Sequence, residues 1–249
     1  MTEAVKNITA AVLVIGDEIL SGRTKDKNIG YIADFLTARG IDLREVRIVP
    51  DIELEIISAV NALRARYRYV FTTGGIGPTH DDITADSIAK AFGVGIAERA
   101  DALAMLRRRF KDNELTEARR RMARIPDGAT LIENPVSDAP GFHIGNVFVM
   151  AGVPSIMQAM MDNLAAELET GISVLSESID MQGIKEGDYG MGLADIARSH
   201  PDVSIGSYPH MTATGFFNQV VVRSRDEAEL KSAVKAVHEL IRELQAKGF

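Results

Sequence analysis

The sequence predicts an α/β protein, built as a doubly wound, mostly parallel sheet with a small C-terminal α+β domain. Three observations carry that expectation. Short apolar runs alternate with stretches of helical period, the runs stop abruptly at glycine, and the texture changes after Gly171. In chain order, residues 10–15 form a continuous apolar run closed by Gly16, as a strand buried on both faces would. Ile29, Ile32, Ala33 and Leu36 then fall at helical spacing, and Gly40 stops that helix. Residues 43–49 alternate weakly and read as a second strand. Residues 53–65 carry an apolar helical stripe, and residues 69–73 are a third strand ending at Gly74-Gly75. A helix over 84–92, capped by Gly93, completes the winding pattern.

Residues 101–124 read as helical and unusually basic, with arginines at 107–109 and 119–121. A turn-rich segment follows, holding Pro126, Gly128, Pro135, Pro140 and Gly141. Residues 147–151 are a further strand, and 155–169 the next helix, with Pro154 at its start where a missing N–H is harmless. The predicted boundary gives an α/β domain over 1–170 and an appendage over 171–249. In the latter, strands are expected at 173–181, 203–208 and 216–223, with a glycine-rich turn, a helix near 193–200 and a long charged helix over 226–247.

The 249 residues allow one large domain or one plus an appendage. Zero cysteines exclude thiol catalysis, Cys-ligated zinc, iron–sulfur clusters and disulfides. A formal charge of −7 argues against charge-driven nucleic-acid binding. The N-terminal apolar run is too short to span a membrane and sits poorly with a signal peptide, so a cytoplasmic protein with neither membrane nor nucleic-acid partners is expected.

The strongest chemical signal is the segment from Thr72 to Thr84, TTGGIGPTHDDIT, at the carboxyl end of the predicted third strand. Open α/β sheets bind ligands in that crevice. Glycines there admit backbone N–H groups to an anion, and the helix starting at Thr84 aims its positive end at the same place. The adjacent Asp81 and Asp82 call for a divalent cation between carboxylate and phosphate. The alternative is a plain strand-to-helix turn whose aspartates cap the helix. Asp17 and Glu18 leave the first strand and Asp51 the second, so several acids converge with Asp81 and Asp82 at one end of the sheet, and Asn28 caps the next helix or donates to a ligand. His80 stands out among five histidines because it lies in the glycine loop. The basic stretch reads as a solvated or oligomer-interface face, since Asp112, Glu114 and Glu117 interleave without stacking aromatics.

Taken together, Gly16-Asp17-Glu18-Ile19-Leu20-Ser21-Gly22, Asn28, Val49-Pro50-Asp51 and the 73–84 loop resemble the molybdopterin-binding (MoaB/Mog-like) domain, most closely its CinA branch. Asn134-Pro135, Ala139-Pro140-Gly141 and Gly152-Val153-Pro154 extend the resemblance over 8–170, and Ile205-Gly206-Ser207-Tyr208-Pro209 marks a similarity to the domain that follows in such chains. The resemblance implies catalytic roles for Asp51 and Asp82, with Glu18 or His80 as base. It implies a phosphate cradle of Thr73, Gly74, Gly75, Gly77, Thr79 and Asn28, and a divalent metal (Mg, Mn or Co) on Asp51, Asp81 and Asp82. It further implies hydrolysis of dinucleotide pyrophosphates such as ADP-ribose or FAD. The alternatives are binding and adenylylation of molybdopterin, with a pterin phosphate as ligand, or ligand binding without catalysis. A dimer or trimer is implied as well, without the C-terminal deamidase domain of longer members. Residues 24–28 and Ser137-Asp138 depart from the branch's usual pattern, which bears on substrate choice.

Overall fold

The computed structural model describes residues 7–212 and 215–248. Strand β1 (Thr9–Ile15) is buried from Ala10 onward, as its lack of polar side chains requires. The chain continues through α1 (Asp17–Leu20), α2 (Asn28–Thr37), β2 (Asp42–Val49), α3 (Glu53–Arg66), β3 (Tyr69–Thr73) and α4 (Thr84–Phe92). Gly93 closes α4 in the left-handed conformation, with φ 66°. Next come β4 (Ile96–Glu98), α5 (Ala100–Arg109), α6 (Glu117–Arg120), β5 (Arg124–Pro126), β6 (Thr130–Ile132), β7 (Gly141–Ile144), β8 (Val147–Met150) and α7 (Pro154–Asn163).

The main sheet has the order β2-β1-β3-β8-β7-β6. Its first four strands are parallel, and the β6-β7-β8 edge is antiparallel. The chain steps from β1 to β2 on one side and then to β3 on the other. The winding therefore reverses between β1 and β3, and their carboxyl ends flank a topological switch point. Alternation along β3 sends Val70 into one core with Tyr67, Leu13, Ile56, Leu63 and Ile88, under α3 and α4. Tyr69 and Phe71 enter the other core with Ile32, Leu36, Met157 and Met161, under α2 and α7. There Phe71 stacks on Phe148 at 5.3 Å between ring centroids. Truncating such a buried ring costs about 3–5 kcal/mol.

Three sequence expectations need correction. The 101–124 stretch is not one helix. After α5, Phe110 is extended, a 3-10 turn spans Asp112–Glu114, Thr116 caps α6, and the chain enters β5 against β4. Asp112 and Asn113 compete with the backbone for hydrogen bonds, and the arginine triplets leave too thin an apolar stripe to hold a long helix. The turn-rich 126–141 segment contributes β6 and β7 to the sheet. The helix after Pro154 stops at Asn163 and passes into a 3-10 turn, Leu164–Ala166.

The chain divides into two compact units, Met1–Gly171 and Ile172–Phe249. The second holds β9 (Leu175–Asp180), α8 (Glu186–Ser199), β10 (Ser204–Thr212), β11 (Gly215–Ser224) and α9 (Glu227–Ala246). Its strands form an antiparallel sheet in the order β10-β11-β9. Tyr189, Val220, Val222, Val237 and Ile241 fill its core, and Asp226 caps α9 by accepting from Ala228 N and Glu229 N at 2.8 and 3.0 Å. The expected glycine-rich turn is short, at Gln182-Gly183, and α8 already begins at Glu186, ahead of the helix expected near 193–200. A Cβ at Gly192 would stand 2.5 Å from a Leu240 methyl, so a close α8–α9 approach accounts for glycine there. Among the described residues no helix is long and apolar enough to cross a membrane.

Candidate active site

The sheet's carboxyl end is built from three turns. At the end of β1, Gly16 N donates to Val49 O at 3.1 Å, tying β1 to the end of β2. Two residues on, the Asp51 carboxylate accepts the Asp17 N–H at 2.9 Å and so meets the start of α1. Burial pushes the Asp51 carboxyl above its ordinary range. The Asp17 N–H opposes this, and the charges of Asp17, Glu18 and Asp81 push it higher still. Those three acids therefore lie within electrostatic reach of Asp51.

The glycine loop after β3 is closed upon itself. Gly74, at φ 102°, passes so near β1 that a Cβ would stand 2.1 Å from Ile15 O. At Gly75, φ 68°, a Cβ would meet Thr84 Oγ1 at 2.1 Å. Thr84 is fully buried, its hydroxyl donating to Gly74 O and its N–H to Gly75 O, both at 3.0 Å. A Cβ on Gly77 would meet Asp82 Oδ2 at 2.6 Å. That same oxygen accepts from Thr79 N at 2.8 Å and from Thr79 Oγ1 at 2.6 Å. Asp82 thus braces the loop and does not cap α4, whose N-cap is Ile83. Hydrogen bonding within the loop, from Thr79 and from the residue's own N–H, together with the nearby His80, holds the Asp81 carboxyl below its usual range. His80 itself is almost fully exposed.

Asn28 is buried as the first residue of α2, donating Nδ2–H to Gly152 O at 2.8 Å. Asp26 does the capping, accepting from Asn28 N and Ile29 N at 3.1 and 2.8 Å. Asn28 Oδ1 and the hydroxyls of Thr72 and Thr73 are buried without a hydrogen-bond partner. Three unspent polar atoms near the strand ends are unusual, since most buried polar groups are paired.

Over these turns lies an open cleft of about 540 Å³. Gly74, Gly75, Gly77 and Glu18 line it, as do Thr24, Asn134, Ser137, Gly152 and Pro154. Thr73, Asn28, Thr79, Asp51, Asp81 and Asp82 do not, although Asp82 borders a water-sized pocket with Arg121 on another side of the loop. The structure adds residues that the sequence reading left out: Arg109, Phe110, Met122, Ile156 and Met160. Asn134 holds the 134–139 wall by accepting from Val136 N at 3.0 Å and donating to Ala139 O at 3.0 Å. Among the described residues no three acidic or histidine side chains form a ready cation cage. One or two carboxylates with phosphate oxygens remain a fitting donor set for Mg²⁺, which keeps several ligands from outside the protein.

Sequence and structure comparisons place the fold in a known family. Residues 11–170 match the family described as a probable molybdopterin binding domain, and residues 173–247 the family described as the FAD synthase middle domain. The chain belongs to the molybdopterin-binding (MoaB/Mog-like) domain family. Within that family it is CinA-like. The crystal structure of CinA from Thermoplasma acidophilum, a protein of unknown function, matches it with a TM-score of 0.61 and 36% identity, covering 65% of this chain and 98% of that one. A protein of Aeropyrum pernix is 34% identical over 95% of this chain and 91% of its own length. One of Archaeoglobus fulgidus is 33% identical over 92% and 96%.

Proposed function

We propose that this protein is a metal-dependent pyrophosphatase that hydrolyses the phosphoanhydride of dinucleotides such as ADP-ribose or FAD. One observation carries the proposal. Acids from three strand ends, Glu18, Asp51 and Asp81, gather beside a ligand-sized cleft whose floor is the glycine loop. That arrangement suits a polyanionic ligand only with a cation between the two sets of negative charge. Asp51 and Asp81 would hold a divalent cation, which neutralises phosphate charge and lowers the pKa of the attacking water. Glu18 lines the cleft and takes the proton from that water. Backbone N–H groups of Gly75 and Gly77 hold the phosphate, with Asp82 and Thr84 fixing the loop that presents them, whereas the Gly74 N–H is spent on Met150 O at 3.1 Å. Water adds to one phosphorus, the bridging P–O bond breaks, and the two products are phosphomonoesters. The match of residues 173–247 to an FAD synthase domain supports a nucleotide as the ligand class.

A second reading keeps the cleft and replaces hydrolysis with binding or adenylylation of a pterin phosphate. The description of the family matched by residues 11–170 favours it. The test is AMP release from ADP-ribose and FAD by the purified protein, with Mg²⁺, Mn²⁺ or Co²⁺ and with chelator. We expect metal-dependent release, abolished by chelator and reduced about 100-fold or more in Asp51→Asn and in Asp82→Asn. No turnover of any dinucleotide overturns the pyrophosphatase reading. Molybdopterin binding with adenylate transfer would install the second reading, and binding alone would leave a non-catalytic receptor.

A further inference from the structure

The chain's basic arm, 107–121, divides into two kinds of arginine. Arg107, Arg108 and Arg120 pair with Asp112, Glu133 and Glu98 at 3.1, 3.7 and 2.6 Å. Arg109 pairs with no carboxylate among the described residues. Its Nη1 donates to Val136 O at 2.8 Å, which leaves most of a five-donor guanidinium unspent. Among the described residues Arg109 is also the only cation lining the cleft, where Glu18 is the only acid. The next residue breaks α5 by turning extended, with φ −108° and ψ 129°, and its ring enters the same lining. The Arg119 guanidinium lies 4.2 Å from the centre of the Phe110 ring and covers it, so the ring is held from one side. Ile76, Met122 and Met160 extend the apolar wall.

We infer that Arg109 and Phe110 set ligand specificity: Arg109 takes a phosphate of the ligand, and Phe110 stacks its planar ring. The ligand class is then a planar heteroaromatic base joined to a phosphate. A lone cation in a largely apolar cleft is a strong anchor for phosphate, because a guanidinium matches its oxygens in pairs. An aromatic ring braced by an arginine is a sequence-tolerant platform for a base. This inference rests on the cleft being the ligand site of the proposed function, and it concerns binding and not the chemical step.

Calorimetric titration with three probes, with and without Mg²⁺, tests it apart from turnover. ADP-ribose carries base and phosphates, adenosine the base alone, and ribose 5-phosphate the phosphate alone. Arg109→Gln keeps a donor for Val136 O but loses the charge. It is expected to weaken ADP-ribose and ribose 5-phosphate about tenfold or more while leaving adenosine unchanged, with Arg109→Lys recovering part of the loss. Phe110→Leu is expected to weaken ADP-ribose and adenosine about tenfold and to spare ribose 5-phosphate. Unchanged melting temperatures separate these losses from misfolding. Equal weakening of all three probes by either variant overturns the inference, as does no effect or no binding by the unmodified protein. Selective losses without hydrolysis leave the inference standing and sink the pyrophosphatase reading. Full hydrolysis with unselective variants does the reverse.

Discussion

The glycine loop at 74–84 and the arginine arm at 107–121 border the same cleft by opposite means. The loop spends its polar groups on itself. Thr84 serves two glycine carbonyl oxygens, Asp82 serves Thr79, and the glycines are small because Ile15, Thr84 and Asp82 occupy the space a side chain would need. The arm brings donors that its own fold does not consume, chiefly on Arg109. The lesson concerns where specificity resides. The segment with the recognisable pattern supplies a rigid, preorganised floor, and the segment without one supplies the groups free to choose a ligand.

The sharpest way to break that contrast is to damage the floor. Gly74→Ala forces a Cβ to 2.1 Å from a backbone oxygen of β1 at φ 102°. Neither partner is a flexible side-chain end, so a destabilisation of about 3 kcal/mol or more is expected, read as a lower urea midpoint. A smaller break is Thr84→Val, which keeps the shape and removes the hydroxyl that serves the buried Gly74 O. A loss of about 1–3 kcal/mol is expected from leaving that carbonyl unpaired, together with weaker phosphate binding. If Thr84→Val were neutral, the loop would not depend on its internal bonds, and the contrast with the arm would fall.

Much of this was legible in the sequence, and the reasons are local. Tyr69–Thr73 and Thr84–Phe92 each end at a glycine in a positive-φ conformation, Gly74 and Gly93, so both ends were readable to the residue. The glycine loop's place at the sheet's carboxyl end followed from strand periodicity alone. The arm was misread because its helix breaks at Phe110, where no proline or glycine announces it, and because Arg109 differs from Arg108 only in what the fold brings near it. The β6–β7 hairpin was hidden for a related reason: its strands are three and four residues long, too short for a period to show. The first turns of α8 were masked by Gly187, Gly190 and Gly192, of which only Gly192 serves the contact with α9.

Asp51 sharpens the comparison from the acidic side. Its carboxyl is raised, so the folded state holds its proton more tightly than the unfolded chain does. Sign matters here: a raised carboxyl supports the fold at low pH, and that support is lost as pH rises through the folded-state pKa. In chelator, Asp51→Asn is therefore expected to melt above the unmodified protein at pH 7, the gap closing as pH falls through the carboxylate range. The asparagine oxygen still accepts the Asp17 N–H. A variant that is more stable yet inactive would mark Asp51 as held in place for chemistry at a cost to the fold. A lower melting point at pH 7 would make it a structural brace, like Asp82.

The smallest expected effect tests the arm's other half. Arg120 grips Glu98 through two bonds of 2.6 Å, and both side chains keep solvent contact at 51% and 29% exposure. The geometry is good, yet water screens the pair, so Arg120→Ala should cost only about 0.2–1 kcal/mol and leave ligand binding unchanged. Set beside Arg109→Gln, this is the internal control that the two arginine triplets provide. Charge is lost in both, the arm's fold is kept in both, and only the unpaired arginine faces the cleft. If Arg120→Ala weakened ribose 5-phosphate as Arg109→Gln does, the arm would act through its summed positive potential. Added salt would then erase both effects together. If the two variants separate, the phosphate is held by one guanidinium whose donors the fold left unspent.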